Sequence, residues 1–183
     1  QLKIVLQYSD PEIWRRVIVP ADTLLGSLHD IIQTVMGWEN CHMYQFVVGK
    51  TRKDLVCYGP SDPEFEDDDP KMLDDMKHSI RKIAPRARQK FGYEYDFGDS
   101  WQHLITVEKT LPADPSFKHA HCVGGEGQCP PEDCGGIYGY DDLRQILGDP
   151  KHPEHESTKA WAGDIEGKFN PAPINRRLRQ LKV

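Results

Sequence analysis

Tyr93-Glu94-Tyr95-Asp96-Phe97-Gly98-Asp99-Ser100-Trp101-Gln102-His103 decides how the chain folds. Aromatic residues at 93, 95 and 97 alternate with carboxylates at 94 and 96, the period of a half-buried strand. Gly98, Asp99 and Ser100 are turn formers, and Trp101, His103, Ile105 and Val107 resume the alternation. The stretch is therefore expected to be a β-hairpin with Phe97 opposite Trp101 and a three-residue loop, Gly98 to Ser100. That register puts His103 opposite Tyr95 on the aromatic face, Asp96 on the other face and Asp99 at the tip. Asp96, Asp99, Trp101 and His103 are thus candidates for a functional cleft, although their different faces argue against a cluster made by the hairpin alone.

Upstream, Leu2, Ile4 and Leu6 alternate with Lys3, Val5 and Gln7 as a first strand. Ile13 to Val19 follow as a second, with Trp14 as bulk and Arg15 and Arg16 as charge, closed by Pro20, which cannot donate to a ladder. Asp22 or Thr23 is expected to cap a helix in which Leu24, Leu28, Ile31 and Val35 recur at helical spacing, and Gly37 ends it. Met43 to Gly49 is read as a third strand and Leu55 to Tyr58 as a short fourth. This β-β-α-β opening is similar to a β-grasp by analogy. With the central hairpin and appended helices it gives an α+β fold with a mixed sheet, expected to be a single domain over 1–183.

Charge is segregated along the chain. Residues 61–76 carry Asp62, Glu64, Glu66, Asp67, Asp68, Asp69, Asp74 and Asp75, and are expected to be a solvated, flexible acidic loop. Lys77, Arg81, Lys82, Arg86, Arg88 and Lys90 follow, with Ile80 and Ile83 suggesting a short helix broken by Pro85. Arg81, Arg86 and Arg88 are candidate contacts to nucleic acid or an acidic partner; internal pairing with the acidic loop is the competing use of the same charges.

Residues 119–136 hold too many Gly and Pro for regular structure and too few apolar residues for a core, so this stretch is expected to be a docked loop. Cys122, Cys129 and Cys134, with His119 and His121, are weak candidates for zinc because they lack a Cys-x2-Cys knuckle. No cofactor is favoured. Docking is expected to turn Glu132 and Asp133 toward the hairpin. Residues 140–183 are expected to be helical: Tyr140 to Leu147, about Glu156 to Ala162, and Ile174 to Leu181, with His152-Pro153-Glu154-His155 leading into the second.

The 183 residues have 38% hydrophobic content and a net charge of -6, which argues against a strongly basic nucleic-acid binder as a whole. The mean hydropathy of -0.65 fits a polar, globular chain. No apolar run suggests a membrane span. Five cysteines and no secretory leader point to a reducing, cytoplasmic setting.

Three segments carry a resemblance that spans nearly the whole chain: Ile13-Trp14-Arg15-Arg16-Val17 with Pro20-Ala21-Asp22-Thr23 and the helix to Met36-Gly37-Trp38; the hairpin Tyr93 to His103; and Pro130-Pro131-Glu132-Asp133-Cys134-Gly135-Gly136 with Gly139-Tyr140. On these the chain resembles the plasmid ORF-three-like family of the Ri-plasmid type, some of whose members are labelled insertion-element passenger proteins. The resemblance implies association with mobile elements and no established activity. Residues speak against a recombinase: Ser9 lies at the end of a strand beside a turn, without surrounding arginines. Neither a phosphate-cradling Gly-x-x-x-x-Gly-Lys loop nor a Gly-x-Ser-x-Gly elbow is present. The expectation is a non-catalytic binding or adaptor module for a protein or nucleic acid. The alternative is a metal-dependent hydrolytic enzyme using Asp96, Asp99, His103, Glu132 or Asp133, which requires the hairpin and the Pro-Pro-Glu-Asp loop to line one pocket.

Overall fold

The structure, a computed structural model, describes residues 1–61, 72–163, 165 and 167–181. Its strands are β1 (Leu2–Leu6), β2 (Ile13–Ile18), β3 (Tyr44–Val48), β4 (Val56–Gly59), β5 (Met72–Asp74), β6 (Lys90–Tyr95), β7 (Trp101–Val107) and β8 (His121–Glu126). The helices are α1 (Leu25–Met36), α2 (Ile80–Ile83), α3 (Gly136–Gly148), α4 (His155–Ala162) and α5 (Pro171–Leu178). One mixed sheet runs β5-β4-β3-β6-β7-β1-β2-β8, antiparallel except for the parallel β4–β5 pair. The fold is α+β and opens β-β-α-β as expected. The β6–β7 hairpin stands between β1 and β3, and this order does not establish the β-grasp likeness. Among the described residues no helix is long and apolar enough to cross a membrane.

The core lies between the sheet and α1. Leu28, Ile31, Ile32 and Val35 of α1 are buried with Leu2, Ile4, Phe46, Tyr93 and Ile105 of the strands, joining the helical and strand periodicities into one apolar layer. The α1 N-terminus differs from expectation. Leu24 occupies the cap position without a side-chain bond. The Leu25 N–H instead donates to the His78 carbonyl at 2.9 Å, a cap from a distant segment. Gly37 closes the other end at φ 93, its N–H on the Gln33 carbonyl.

The hairpin keeps its faces but not its register. Tyr95 opposes Trp101 and Tyr93 opposes His103, so residues 96–100 form the connection and Phe97 is exposed at its tip. The Asp96 carboxylate takes the Gly98 N–H at 2.9 Å, and the Ser100 N–H returns to the Asp96 carbonyl at 2.6 Å. This side-chain-closed turn takes Phe97 out of the ladder. Asp96 is buried, contrary to the outward placement expected.

Two expected loops contain strands. The acidic run's Asp62, Glu64, Glu66, Asp67, Asp68 and Asp69 lie outside the described residues, but Met72–Asp74 is β5 and Asp75–Lys77 a 3-10 turn. Asp75 is buried, accepting from the Tyr44 hydroxyl, rather than solvated. In residues 119–136, β8 pairs with β2 across a bulge at Arg16/Val17. Gly125 serves packing: a Cβ there would sit 2.7 Å from the Phe169 ring. On α5, the Asn175 amide meets the Cys122 backbone twice, accepting its N–H and donating to its carbonyl, each at 2.8 Å. α5 begins three residues earlier than expected, with Asn170 as cap and proline in the first turn, where a missing N–H costs nothing.

Candidate metal centre

After Gly37 the chain must cross from α1 to β3, and Trp38 anchors the crossing. Its indole is 3% exposed, lies 5.1 Å from the Tyr95 ring and 5.8 Å from Trp101, and donates to the Pro130 carbonyl at 2.9 Å. That bond seats the Pro130-Pro131 segment against the aromatic floor. Beyond it, Glu132 Oε1 accepts the Glu39 N–H at 2.7 Å and the Tyr95 hydroxyl at 3.1 Å. Asp133 stands at φ 55. Cys41 and His42 come from the crossing, and the Cys41 N–H donates to the Tyr95 hydroxyl at 3.1 Å.

Three carboxylates converge on one imidazole. His42 Nε2 is 3.1 Å from Asp133 Oδ1, 3.7 Å from Asp96 Oδ2 and 3.9 Å from Glu132 Oε2. Two overlapping groups, His42-Asp96-Asp133 and Cys41-His42-Glu132, place their donor atoms within 4.8 Å of one another. Asp96 and Glu132 each spend one oxygen on protein donors and turn the other inward. Asp96 Oδ1 is held by the Gly98 N–H and Glu132 Oε1 by Glu39 and Tyr95. His42 Nε2 and Glu132 Oε2 are buried atoms without a hydrogen-bond partner. One oxygen fixed and one free is how outer-shell bonds orient carboxylate ligands.

The surroundings are electronegative. Burial, together with the Asp99, Asp133 and Glu132 carboxylates, pushes the Cys134 thiol up to about 12. Burial and Glu132 also raise the Tyr95 phenol well above its ordinary value, keeping it a donor.

The expected residues divide. Asp96, Glu132 and Asp133 meet in one site. Asp99 stands beside it, accepting the Gly135 N–H at 3.1 Å, and Trp101 lies in the aromatic floor beneath. His103 is elsewhere: it is 2% exposed, its Nδ1 donates to the Trp101 carbonyl at 2.9 Å, and burial lowers its pKa to about 4. Cys122, Cys129, Cys134, His119 and His121 form no ligand group among the described residues. Cys122 is buried on β8, Cys129 accepts from Arg15, and His119 and His121 are exposed. Arg81 pairs with Asp22 at 2.9 Å, while Arg86 and Arg88 are exposed before β6, at the opposite end of that strand from the hairpin tip. Cys41 and His42 were missed. Their only signal was an adjacent Cys-His pair between a helix stop and a strand.

Comparison with known proteins gives the chain, rather than the site, a family context. A family model described as plasmid pRiA4b ORF-3-like protein matches residues 1–177. The uncharacterized protein y4hQ of Sinorhizobium fredii (strain NBRC 101917 / NGR234) is 37% identical over 185 residues, covering 99% of this chain and 91% of that protein. A crystal structure of the protein of unknown function MM3350 from Methanosarcina mazei Go1 matches with a TM-score of 0.81 at 32% identity, covering 94% of each chain.

Proposed function

The chain belongs to the plasmid pRiA4b ORF-3-like family, and on that premise we propose that it is a divalent-metal protein whose open-sided site has the form of a metal-dependent hydrolytic centre. The observation that carries the proposal is the convergence of His42 Nε2 with the free oxygens of Asp96, Glu132 and Asp133, drawn from the β3 approach, the hairpin and the Pro-Pro-Glu-Asp loop. An imidazole with carboxylates suits zinc, manganese or ferrous iron, and Cys41 biases the set toward the softer of these. Cys41, His42 and Glu132, whose donor atoms lie within 4.8 Å of one another, would be the inner ligands. Asp133, its side chain 70% exposed, faces the solvent side, where a substrate would enter. A metal there would lower the pKa of bound water toward about 7 and supply a nucleophile. Asp133 is placed to take the proton, and the Tyr95 phenol to hold Glu132 in orientation.

The test is metal content and titration of protein purified without chelator. One equivalent bound, with affinity falling at least about ten-fold in both His42→Ala and Glu132→Gln, is expected. Failure of the wild type to bind zinc, manganese or iron, or unchanged affinity in both variants, overturns the reading. Hydrolysis of activated ester and phosphodiester substrates separates the catalytic from the binding half: metal uptake without turnover leaves a binding module.

A further inference from the structure

We propose that a second site, the cleft beside Arg15, binds a small anionic molecule through carboxylate or phosphate oxygens, independently of any metal at His42. Arg15 points inward from β2 and is 3% exposed. Its Nε donates to the Val35 carbonyl at 2.9 Å, Nη1 to the Trp14 and Glu126 carbonyls at 2.8 Å each, and Nη2 to Cys129 Sγ at 2.9 Å. The guanidinium lies 4.7 Å over the Phe169 ring. Every one of these partners is neutral, since burial pushes the Cys129 thiol up to about 11. Four of its five N–H groups are used, leaving one on Nη2. Among the described residues no carboxylate pairs with Arg15. A cation withdrawn from water without a counter-charge is unfavourable, and an arriving anion relieves that cost.

The cleft that Arg15 lines is about 430 Å³, in the range of small-molecule sites. Lys168 and Arg177 also line it, both exposed at its mouth, so among the described residues the lining has three cations and no Asp or Glu. Such a cleft gathers anions before contact. Gln128 and Asn170 offer amide groups, while Met36 and Ile174 form an apolar wall for the uncharged part of a ligand. The one remaining Nη2 N–H takes a carboxylate or a phosphate oxygen alike, so the shared chemistry is an oxyanion.

The experiment titrates metal-depleted full-length protein calorimetrically with inorganic phosphate, citrate and a nucleoside monophosphate. Because Arg15 also supports the core, the variants are at the exposed cations, Lys168→Gln and Arg177→Gln together. The expected result is saturable binding of at least one probe, weakened about ten-fold or more in the double variant and unchanged in His42→Ala. Phosphate and the nucleotide binding without citrate would identify a phosphoryl ligand, and citrate alone a carboxylate ligand. The proposal is overturned if no probe saturates at concentrations on the order of 10 mM, if the double variant binds as the wild type does, or if binding disappears in His42→Ala, which would place the anion at the other site.

Discussion

Asp99 Oδ2 receives the Gly135 N–H at 3.1 Å, tying the hairpin tip to the loop that delivers Glu132 and Asp133. Gly136 follows at φ 68, where any Cβ would collide with the Asp99 carbonyl oxygen. Asp99→Ala should therefore cost only about 1 kcal/mol of stability, the scale of one hydrogen bond. It should weaken metal binding on the order of ten-fold through lost orientation. Titration beside urea unfolding checks this; unchanged affinity would mean that the loop holds its place without Asp99.

Trp101 is 1% exposed and shares the aromatic floor with Trp38 and Tyr95. Trp101→Ala should destabilise the fold by roughly 3–5 kcal/mol, the cost of emptying an aromatic core position. A loss as small as that of Asp99→Ala would contradict this packing.

His29 and His103 are each buried and held neutral, with pKa values lowered to about 4 by desolvation. Unfolded, both titrate near 6.5, so below that pH the unfolded chain binds more protons and stability falls as pH drops toward about 4. Between about pH 7.5 and about pH 5 each should remove roughly 2 kcal/mol. Urea midpoints across this window should shift less in His103→Gln than in the wild type. An identical pH dependence would show that the imidazole takes up its proton in the fold as readily as in the unfolded chain.

Cys41 is the exposed one of five free cysteines, and it borders Glu132 and His42. Iodoacetamide should modify it before the others, and a saturating divalent metal should slow that modification several-fold. Mass spectrometry of the alkylated protein reads both. First reaction at Cys57 or Cys122 would contradict the burial pattern.

Which parts of this were readable beforehand follows from where each cause resides. The α1 periodicity and the aromatic faces of the hairpin are local, and both are visible in the chain. The register was off by two because such a shift leaves every side chain on its own face; only the Asp96 side-chain turn selects one register. The α1 cap was hidden because its partner, the His78 carbonyl, is tertiary. β8 was hidden because Gly125 is required by the Phe169 ring above it rather than by strand propensity. At the site, the carboxylates declared themselves in two motifs, whereas His42 is a single residue in a crossing that only the fold brings to them. Arg15 and Arg16 read alike as strand charge, yet strand alternation sends Arg16 out to Glu108 and Arg15 in to the cleft.

The paired bonds between Asn175 and Cys122 also bear on how the protein behaves among copies of itself. β8 ends the sheet, and an outermost strand with free amides and carbonyls is a template on which another chain can grow. The Asn175 amide presents donor and acceptor to the Cys122 backbone as a neighbouring strand would. α5 thus acts as a false strand that ends the sheet with a side chain. Loss of that amide, as in Asn175→Leu, would turn a finished boundary into a growing one, and aggregation at high concentration would accompany the lower melting temperature that two lost hydrogen bonds bring.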